Sequence, residues 1–485
     1  MKTFDVTAGM PAPAPGFAVR SWFIDGVSPQ APRPFVQGLP ASPQEFLAQL
    51  PPSGFSCWVR GTAGLVGIGR ALRLRAAGPD RFDALSAAWQ EIAAAAEVDN
   101  EVGLPGSGLI GFAALAFSAH SATASVIDIP RFVMGRRDGR VWLTAVTTPG
   151  DPEDAGGLAL SHTPLAPPRA PRTRPGYVTP EDYVEIVARA VERLRAEAGT
   201  GAGAEAGADG APGTPAGAGA STGGGTSAGA GPAAGEPLGK VVLARDEVVE
   251  TDEEIDVRAV LGRLNSAYPT CWTFDVAGLV GATPELLIGV TDGQVTSRVL
   301  AGTYQVQGDP AEEIAAARAQ LGSAKDSSEH AFAIDSLAAS LSTVSEDLHV
   351  DAEPHLLQLA TVIHLASDAH GTLRRGDHGC PTALEVARAV HPTAAVGGFP
   401  KDRALEVIEE LEDADRGRFA GPVGWIDERG NGQFGIALRC GQLEAPNRIR
   451  LFAGAGIMPD SDPASELAET EAKLAPMKRA LGVER

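Results

Sequence analysis

A low-complexity tract near the middle of the chain limits what the sequence can fold into. Residues Gly199–Gly235 are almost wholly Gly, Ala, Ser, Thr and Pro. Because such a segment buries too little apolar surface to offset its ordering entropy, residues 199–236 are predicted to be disordered. An amphipathic helix starting at Thr179-Pro180 precedes the tract and the apolar strand KVVLAR follows it, and both are typical of a core. Since doubling a loop's length costs only ~0.6 kcal/mol, we expect a surface insertion in one fold and not a linker.

The sequence on both sides of the tract alternates between strand-like and helix-like segments. Runs rich in β-branched and aromatic residues, bounded by Gly, Pro or Asn-Gly and Asp-Gly pairs, are predicted strands. Helical periodicity predicts helices over 81–96, 310–321, 327–342, 382–389 and 401–411. No fixed-period repeat is visible. The pattern indicates one large mixed fold, α/β (α+β), in preference to a string of small domains.

The net charge of the chain limits the kinds of partner that it can bind. The 485 residues carry a formal net charge of −21, which argues against nucleic acid and against an anionic membrane surface. An anionic substrate would need local Lys or Arg side chains, or a bound cation. The four cysteines show no CxxC spacing, and no apolar run is long enough to cross a bilayer. We therefore expect a soluble, cytoplasmic protein with reduced cysteines and no membrane partner.

Two pairs of carboxylates predict a metal site. Near the C-terminus a glycine-rich turn leads to Asp462, which is followed by proline and so predicts a helix start. Glu466 and Glu469 then share one face of that helix, and paired carboxylates suit a hard cation such as Mg²⁺. The alternative is a solvated acidic helix face. Asp326 and Glu329 repeat the spacing on a second predicted helix, which favours the metal because hard cations take oxygen ligands from several elements.

Other polar residues interrupt apolar segments. Lys240 opens the strand KVVLAR and is either a surface lysine or a base whose pKa is lowered by its surroundings. Glu285 lies among Leu and Ile, so it is either a strand-edge residue facing water or a carboxyl kept protonated by burial. Arg439 ends a strand, where its guanidinium would suit a carboxylate. His364, flanked by apolar residues, is by pattern alone a core histidine. No Ser/His/Asp set, P-loop or dinucleotide fingerprint is present.

Taken together, these stretches resemble the chorismate-utilising enzyme family, which includes isochorismate, anthranilate, aminodeoxychorismate and salicylate synthases. The resemblance runs from about Tyr177 to the C-terminus without the Gly/Ala tract. It is carried, in order, by KVVLAR, GATPELLI, VLAGTY, SAKDSSEH, VIHLAS, HPTAAVGGFP, FAGPVGWID, GIALRC and LFAGAGIMPDSDPASELAETEAK. It implies one large chorismate-binding fold in which antiparallel sheets, flanked by helices, hold a Mg²⁺–chorismate site.

The resemblance also implies roles for individual residues. Lys240 would activate the water that attacks C2 of chorismate, and Glu285 would protonate the departing C4 hydroxyl. Glu329 and Glu469 resemble direct Mg²⁺ ligands, with Asp326 and Glu466 holding metal-bound waters. Substrate contacts are implied at Gly302, Thr303, His364, Ala395, Arg439, Gly454 and Lys473.

Three positions favour one activity within the family. Ala395 stands where ammonia-using members carry Thr, and Lys240 is the residue type of the water-using members. Phe419 stands where salicylate synthases have Tyr. The resemblance thus implies an isochorismate synthase, an isomerase serving menaquinone or catechol siderophore biosynthesis. The alternatives are a salicylate synthase, an ammonia-using synthase with a separate amidotransferase subunit, and a non-catalytic chorismate-binding relative.

The predicted organisation follows from the same reasoning. Residues 1–16 form a flexible N-terminus, 17–174 the variable N-terminal half of the fold, and 175–485 the chorismate-binding region with its insertion at 199–236. We expect a monomer, because related synthases often are.

Overall fold

The computed structural model describes residues 2–7, 16–24, 47–148, 163–204, 237–306, 308–309, 313–322, 324–358, 362–376 and 379–483. Within these ranges the side chains of 199–204, 301, 303, 305, 324–329 and 362 are not described. Most of the strands belong to two large sheets, and helices pack against each of them.

The first sheet, sheet A, has 11 strands. They are β1 (Lys2–Asp5), β5 (Leu72–Ala76), β7 (Ile110–Ala114), β8 (Ser125–Ile129), β15 (Leu286–Thr291), β16 (Gln294–Gln305), β17 (Ser345–Val350), β18 (His355–Gln358), β19 (Val362–Leu373), β21 (Pro422–Asp427) and β22 (Gly432–Ile436). Their spatial order is β1-β5-β8-β7-β21-β22-β15-β16-β19-β17, with β18 also on β19.

The second sheet, sheet B, has 13 strands. They are β2 (Ala18–Phe23), β3 (Phe55–Arg60), β4 (Ala63–Ile68), β6 (Glu97–Asn100), β9 (Phe132–Arg137), β10 (Arg140–Thr147), β11 (Arg172–Pro175), β12 (Lys240–Glu250), β13 (Trp272–Val276), β14 (Leu279–Thr283), β20 (Gly398–Phe399), β23 (Cys440–Ala445) and β24 (Arg448–Ile457). Their order is β11-β12-β24-β23-β14-β13-β3-β4-β9-β10-β2-β6, with β20 also on β12. Only β1–β5 and β2–β6 pair in parallel among the described strands.

Eight helices of the described residues accompany the sheets. They are α1 (Arg81–Ala95), α2 (Pro180–Ala204), α3 (Val257–Ala267), α4 (Ile314–Leu321), α5 (Ala324–Ser342), α6 (Ala383–Val390), α7 (Lys401–Leu411) and α8 (Pro463–Leu481). Helices α1, α4, α5 and α6 contact strands of sheet A, whereas α2, α3, α7 and α8 contact strands of sheet B. None of the helices so described is both long and apolar enough to cross a membrane.

The main core lies between the two sheets. Strand β13 of sheet B contacts β7 and β21 of sheet A, so the sheets lie face to face. Trp58 and Phe274 from sheet B and Phe112, Trp425 and Phe434 from sheet A are buried in one hydrophobic cluster. Burying apolar side chains from both sheets is the dominant favourable term that holds the sheets together.

The chain passes between the sheets at two neighbouring corners. Pro284 and Glu285 connect β14 of sheet B to β15 of sheet A, and 437–439 connect β22 of sheet A to β23 of sheet B. The corners are hydrogen-bonded to each other: the Ala282 amide donates to the Arg439 carbonyl at 3.2 Å and the Ile436 amide donates to the Glu285 carbonyl at 3.2 Å. These corners fix where Glu285 and Arg439 lie.

The predicted fold class is confirmed, with differences in detail. Helix α3, which the sequence pattern did not predict, begins where Asp256 accepts a hydrogen bond from the Arg258 amide. The helix predicted from residue 310 begins at Ile314. Residues 2–5 form β1 paired with β5, so the flexible N-terminus predicted for 1–16 is wrong there. The Pro/Ala/Gly-rich composition that suggested flexibility belongs to residues 8–15, which lie outside the described residues.

The insertion predicted at 199–236 is described only in part. The backbone of α2 is helical to Ala204, and residues 205–236 lie outside the described part of the chain. The strand after the tract, β12, is buried along most of its length. The domain boundaries at 16, 174 and 198 stay predictions.

Candidate active site

A cavity of about 640 Å³ lies where both sheets meet α8. Its walls contain most of the residues that the sequence singled out: Lys240, Glu285, Gly302, His364, Ala395, Arg439, Gly454, Glu466, Glu469 and Lys473. Phe419 lines it as well. The side chains of Thr303, Asp326 and Glu329 are among those not described; their backbones lie in β16 and near the start of α5.

Lys240 is held by the sheet on both sides of its strand. It pairs with Phe399 of β20, and the next residue, Val241, pairs with Ile457 of β24. Lys240 is 1% exposed. A surface lysine at a strand start is therefore excluded, and the side chain reaches the cavity instead.

Glu285 is a buried acid at the first of the two corners. Burial raises the pKa of its carboxyl to about 8, although the positive charges of Lys240, Arg439 and Lys473 act in the opposite direction. Loss of solvent therefore outweighs three cations. At neutral pH this carboxyl holds a proton that it can give away, which a strand-edge glutamate facing water could not do.

Arg439 lies at the second corner with a strained backbone. Its φ of 48° is in the left-handed region, which L-residues other than Asn, Asp and Gly seldom adopt. Burial lowers the pKa of its guanidinium, while the charge of Glu469 acts in the opposite direction. The corner geometry turns this cation into the cavity, where a carboxylate ligand could meet it.

His364 and Gly302 face each other across β16 and β19. The register of these strands shifts between Ala301 and Thr303, and Gly302 has a φ of 70° at this bulge. His364 Nδ1 is 2.9 Å from the Gly302 carbonyl oxygen and therefore carries the hydrogen of that bond. Burial lowers the pKa of His364 to about 4. The ring is neutral near pH 7, so it is a polar contact and not a further cation.

Helix α8 presents its charged residues to the cavity. The Asp462 side chain accepts from the Ser465 amide at the N-cap, and Pro463 opens the helix. Glu466 is 4% exposed and accepts from Ser461 Oγ at 2.7 Å. Glu469, whose side chain is 44% exposed, lies 2.5 Å from Lys473 Nζ. Lys473 also donates to the Gly454 carbonyl at 2.9 Å, which ties the helix to β24.

The carboxylates fit a hard cation, although a complete ligand set is not described. Glu466 and Glu469 line the same cavity from one helix face, and oxygen donors of this kind suit Mg²⁺. In the described part of the chain no three His, Cys, Asp or Glu side chains lie close enough to hold a metal ion. Asp326 and Glu329, the other two predicted ligands, have undescribed side chains. The Mg²⁺ site therefore stays a prediction.

One wall of the cavity is apolar. Phe419 stacks on Phe452 with ring centroids 5.2 Å apart and an interplanar angle of 10°. Ala395 and Val396 lie in the segment between α6 and β20 and line the same space. A flat, partly unsaturated ring would find apolar contact here and polar contact at Arg439 and Lys473.

Sequence reasoning missed several residues of the walls. Tyr268, Cys271, Arg416, Phe452 and Arg479 also line the cavity. Phe452 lies in the stretch LFAGAGI, which carries part of the resemblance and which the structure places in β24 and not in a glycine-rich turn, so the sequence could have identified it. Nothing in the local sequence marks the others as wall residues, and only the tertiary fold brings them to the cavity.

Comparison with known proteins gives a consistent result. A sequence family described as chorismate binding enzyme matches residues 232–482. A putative isochorismate synthase, MenF, of Mycobacterium tuberculosis is 42% identical over 260 residues, which are 51% of this chain and 69% of that protein. The crystal structure of a putative 2,3-dihydroxybenzoate-specific isochorismate synthase, DhbC, from Bacillus anthracis has a TM-score of 0.66 at 26% identity and covers 91% of this chain and 100% of its own. The menaquinone-specific isochorismate synthase MenF of Escherichia coli shares the fold with a TM-score of 0.67 at 20% identity, over 96% of this chain and 94% of its own.

The buried acid can be observed directly. In the infrared difference spectrum between the parent protein and Glu285→Gln, we expect a protonated-carboxyl band at neutral pH that disappears as pH rises through about 8. Since the folded state holds this proton between 4.5, the ordinary pKa, and about 8, the contribution of Glu285 to stability falls as pH rises through that window.

A second buried acid gives the control for this measurement. Burial raises the pKa of Asp275 to about 7, so the band lost in Asp275→Asn should titrate at lower pH. If no protonated-carboxyl band distinguishes Glu285→Gln from the parent at neutral pH, the assignment of a protonated Glu285 is wrong.

Proposed function

The chain belongs to the chorismate-binding family of enzymes, and from this we propose that it is an isochorismate synthase that converts chorismate to isochorismate. The observation that carries the proposal is the placement of a buried lysine, Lys240, and a protonated acid, Glu285, in the walls of one cavity. A base and an acid beside the same ring can act together: the base activates water for addition at one carbon, and the acid protonates the hydroxyl that leaves another.

The cavity suits an anionic six-membered ring. Its volume of about 640 Å³ is within the usual range for small-molecule sites. Arg439 and Lys473 lie in its walls and offer positive charge to carboxylates. An anionic substrate can therefore bind although the net charge of the chain is −21. His364 and the Gly454 backbone lie in the same walls and supply neutral polar contacts.

The proposed reaction balances its atoms and protons. Lys240, in its neutral form, takes a proton from a water molecule whose oxygen bonds to C2 of the ring. The ring double bonds shift as the C4–oxygen bond breaks, and Glu285 gives its proton to the departing hydroxyl, which leaves as water. One water enters and one leaves, so the product is an isomer of the substrate. Proton exchange with solvent restores Lys240 and Glu285.

We propose that Mg²⁺ is held by Glu469 and Glu329 directly and by Glu466 and Asp326 through waters. The ion would neutralise charge on the substrate's ring carboxylate. Support comes from the position of Glu466 and Glu469 in the cavity wall and from the equal spacing of the second pair on α5. Lys473, which lies beside Glu469 in the same wall, would offer positive charge to a carboxylate of the substrate.

The choice of water and the absence of a lyase step are part of the proposal. Ala395 supplies no hydroxyl to the cavity, and Phe419 stacks on Phe452 without a phenolic oxygen. Isochorismate made here would serve menaquinone or catechol siderophore formation. Among the relatives, one is described as menaquinone-specific and one as 2,3-dihydroxybenzoate-specific, so both fates have precedent.

Product analysis tests the proposal. Purified protein incubated with chorismate and Mg²⁺ should yield isochorismate, and EDTA should stop its formation. Salicylate with pyruvate would identify a salicylate synthase, and an aminated product that requires ammonium would identify an ammonia user. No turnover with bound chorismate would indicate a non-catalytic relative.

The base can be tested with a matched lysine. Lys240→Ala should lower kcat by ~10²-fold or more, because the attacking water loses its proton acceptor. Chorismate binding should persist, because Arg439 and Lys473 remain. Lys478→Ala is the control: the Lys478 side chain is 12% exposed, pairs with Glu247, and is not in the cavity wall. Equal rates in the two variants would remove Lys240 from the mechanism.

The metal ligands can be tested with two glutamates on one helix. Glu469→Gln should weaken Mg²⁺ binding measured by calorimetry, because the cation loses a charged oxygen ligand. Glu471→Gln, two residues on, should not, since Glu471 pairs with Arg245 and does not line the cavity. Unchanged Mg²⁺ affinity in Glu469→Gln would place the metal elsewhere.

A further inference from the structure

On one edge of strand β12, side chains make some of the hydrogen bonds that a neighbouring strand would otherwise make. Along one edge, Val241–Glu250 pairs with β24. Along the other, Lys240 and Val241 pair with β20, and Glu247–Glu250 pairs with β11. Between these two partners, no strand of the described residues pairs with Val242 or Ala244 on this edge. An unpaired buried backbone group is costly, so its hydrogen bonds must go elsewhere.

The Val242 amide donates to the Gly397 carbonyl at 2.9 Å, and an ion pair supplies the next two hydrogen bonds along the edge. Arg416 Nη2 donates to the Val242 carbonyl at 2.7 Å, and the Ala244 amide donates to Glu412 Oε1 at 2.7 Å. Donor and acceptor thus alternate along the edge, as they would with a neighbouring strand. Arg416 and Glu412 take the place of a β-strand partner over the stretch that starts two residues after Lys240.

The pair is buried and fully engaged with protein groups. The two side chains are 5% and 4% exposed. Arg416 Nε donates to Glu412 Oε2 at 2.7 Å, and Nη2 lies 2.5 Å from Oε1. The guanidinium also lies over the Phe117 ring, with its central carbon 4.5 Å from the ring centroid. Buried charges persist only when they are paired and hydrogen-bonded in this way.

Arg416 also bonds the neighbouring segment of the cavity wall. Its Nη1 donates to the Val396 carbonyl at 3.0 Å. Val242, Val396 and Arg416 all line the cavity. One rigid fork therefore joins the strand that carries Lys240 to the segment that carries Ala395. An ammonium group has no planar fork and could not hold both carbonyls at this spacing.

We propose that Arg416 is a positioning residue of the active site: together with the backbone hydrogen bond from the Val242 amide to the Gly397 carbonyl, it fixes the Lys240 strand against the segment that carries Ala395 and Val396. The inference rests on the proposed function, because Lys240 and Ala395 line the cavity in which the attacking water would lie. Four of the five N–H groups of Arg416 donate to Glu412, Val242 and Val396, so we assign its effect on the reaction to these neighbours.

The test uses a second buried arginine as its control. Arg258 is 2% exposed, bonds Asp256 through Nε and Nη2, and donates from Nη1 to the Leu50 and Thr163 carbonyls. It has the same kind of surroundings as Arg416 but does not line the cavity. Arg416→Lys and Arg258→Lys therefore each remove a buried guanidinium with its hydrogen bonds to a carboxylate and to backbone carbonyls. The first lies beside the cavity and the second lies away from it.

We expect Arg416→Lys to lower kcat by ~10–10²-fold with little change in KM, because a misplaced base slows the chemical step while the carboxylate contacts remain. Arg258→Lys should lower the thermal unfolding midpoint and leave kcat per folded molecule unchanged. A low, non-denaturing concentration of guanidinium should restore turnover in Arg416→Ala. Hydrogen exchange of the peptide spanning 240–244 should quicken in Arg416→Lys alone.

The outcomes separate this inference from the proposed function. A parent protein that does not convert chorismate overturns the proposed function, and the catalytic part of this inference with it. An active parent in which the two lysine variants have equal kcat overturns the positioning role. Unchanged exchange of residues 240–244 in Arg416→Lys overturns the bridging of the β12 edge whether or not the parent is active. If Arg416→Lys does not fold, Glu412→Gln, which keeps an acceptor for Ala244, gives the same comparison.

Discussion

The site depends on two hydrogen-bonded corners at which the chain passes between its sheets. Glu285 lies where β14 leads into β15, and Arg439 lies where β22 leads into β23. The carbonyl of each residue accepts an amide from the other corner. Because neither corner can shift without the other, the acid and the guanidinium keep a fixed relation. The left-handed backbone of Arg439 has an unfavourable conformation that this arrangement enforces.

Desolvation dominates the electrostatics of the cavity. The pKa of Glu285 is raised to about 8 even though three cations oppose the shift, and the pKa of His364 is lowered to about 4 by the same burial. Both groups are thereby kept uncharged at neutral pH. The groups that stay charged are those that would bind carboxylates or a metal ion. The cavity is therefore locally cationic although the whole chain is acidic.

Local signals in the sequence predicted the helices and strands better than they predicted which residues line the cavity. The start of α8 was foreseen because Asp462 and Pro463 are a cap and a first-turn residue, and the structure shows that cap hydrogen bond. Helix α3 was missed although its signal is local: Asp256 is an N-cap residue, and Val257, Val260, Leu261 and Leu264 recur at helical spacing. Arg416 could not have been found, since its partners Val242 and Val396 are far away in sequence. The substrate came from resemblance, because charge and spacing alone indicate only an acid–base site for a small anion.

The cavity brings together elements of both sheets and of one helix. Its walls come from β16 and β19 of sheet A, from β12 and β24 of sheet B, and from α8. A molecule that fills it contacts all of these at once and so binds only the folded state. At 100 times its Kd such a ligand adds ~2.7 kcal/mol to the free energy of unfolding. The cavity can therefore be searched for ligands by their effect on the melting curve, with no assay of turnover and no prior choice of substrate.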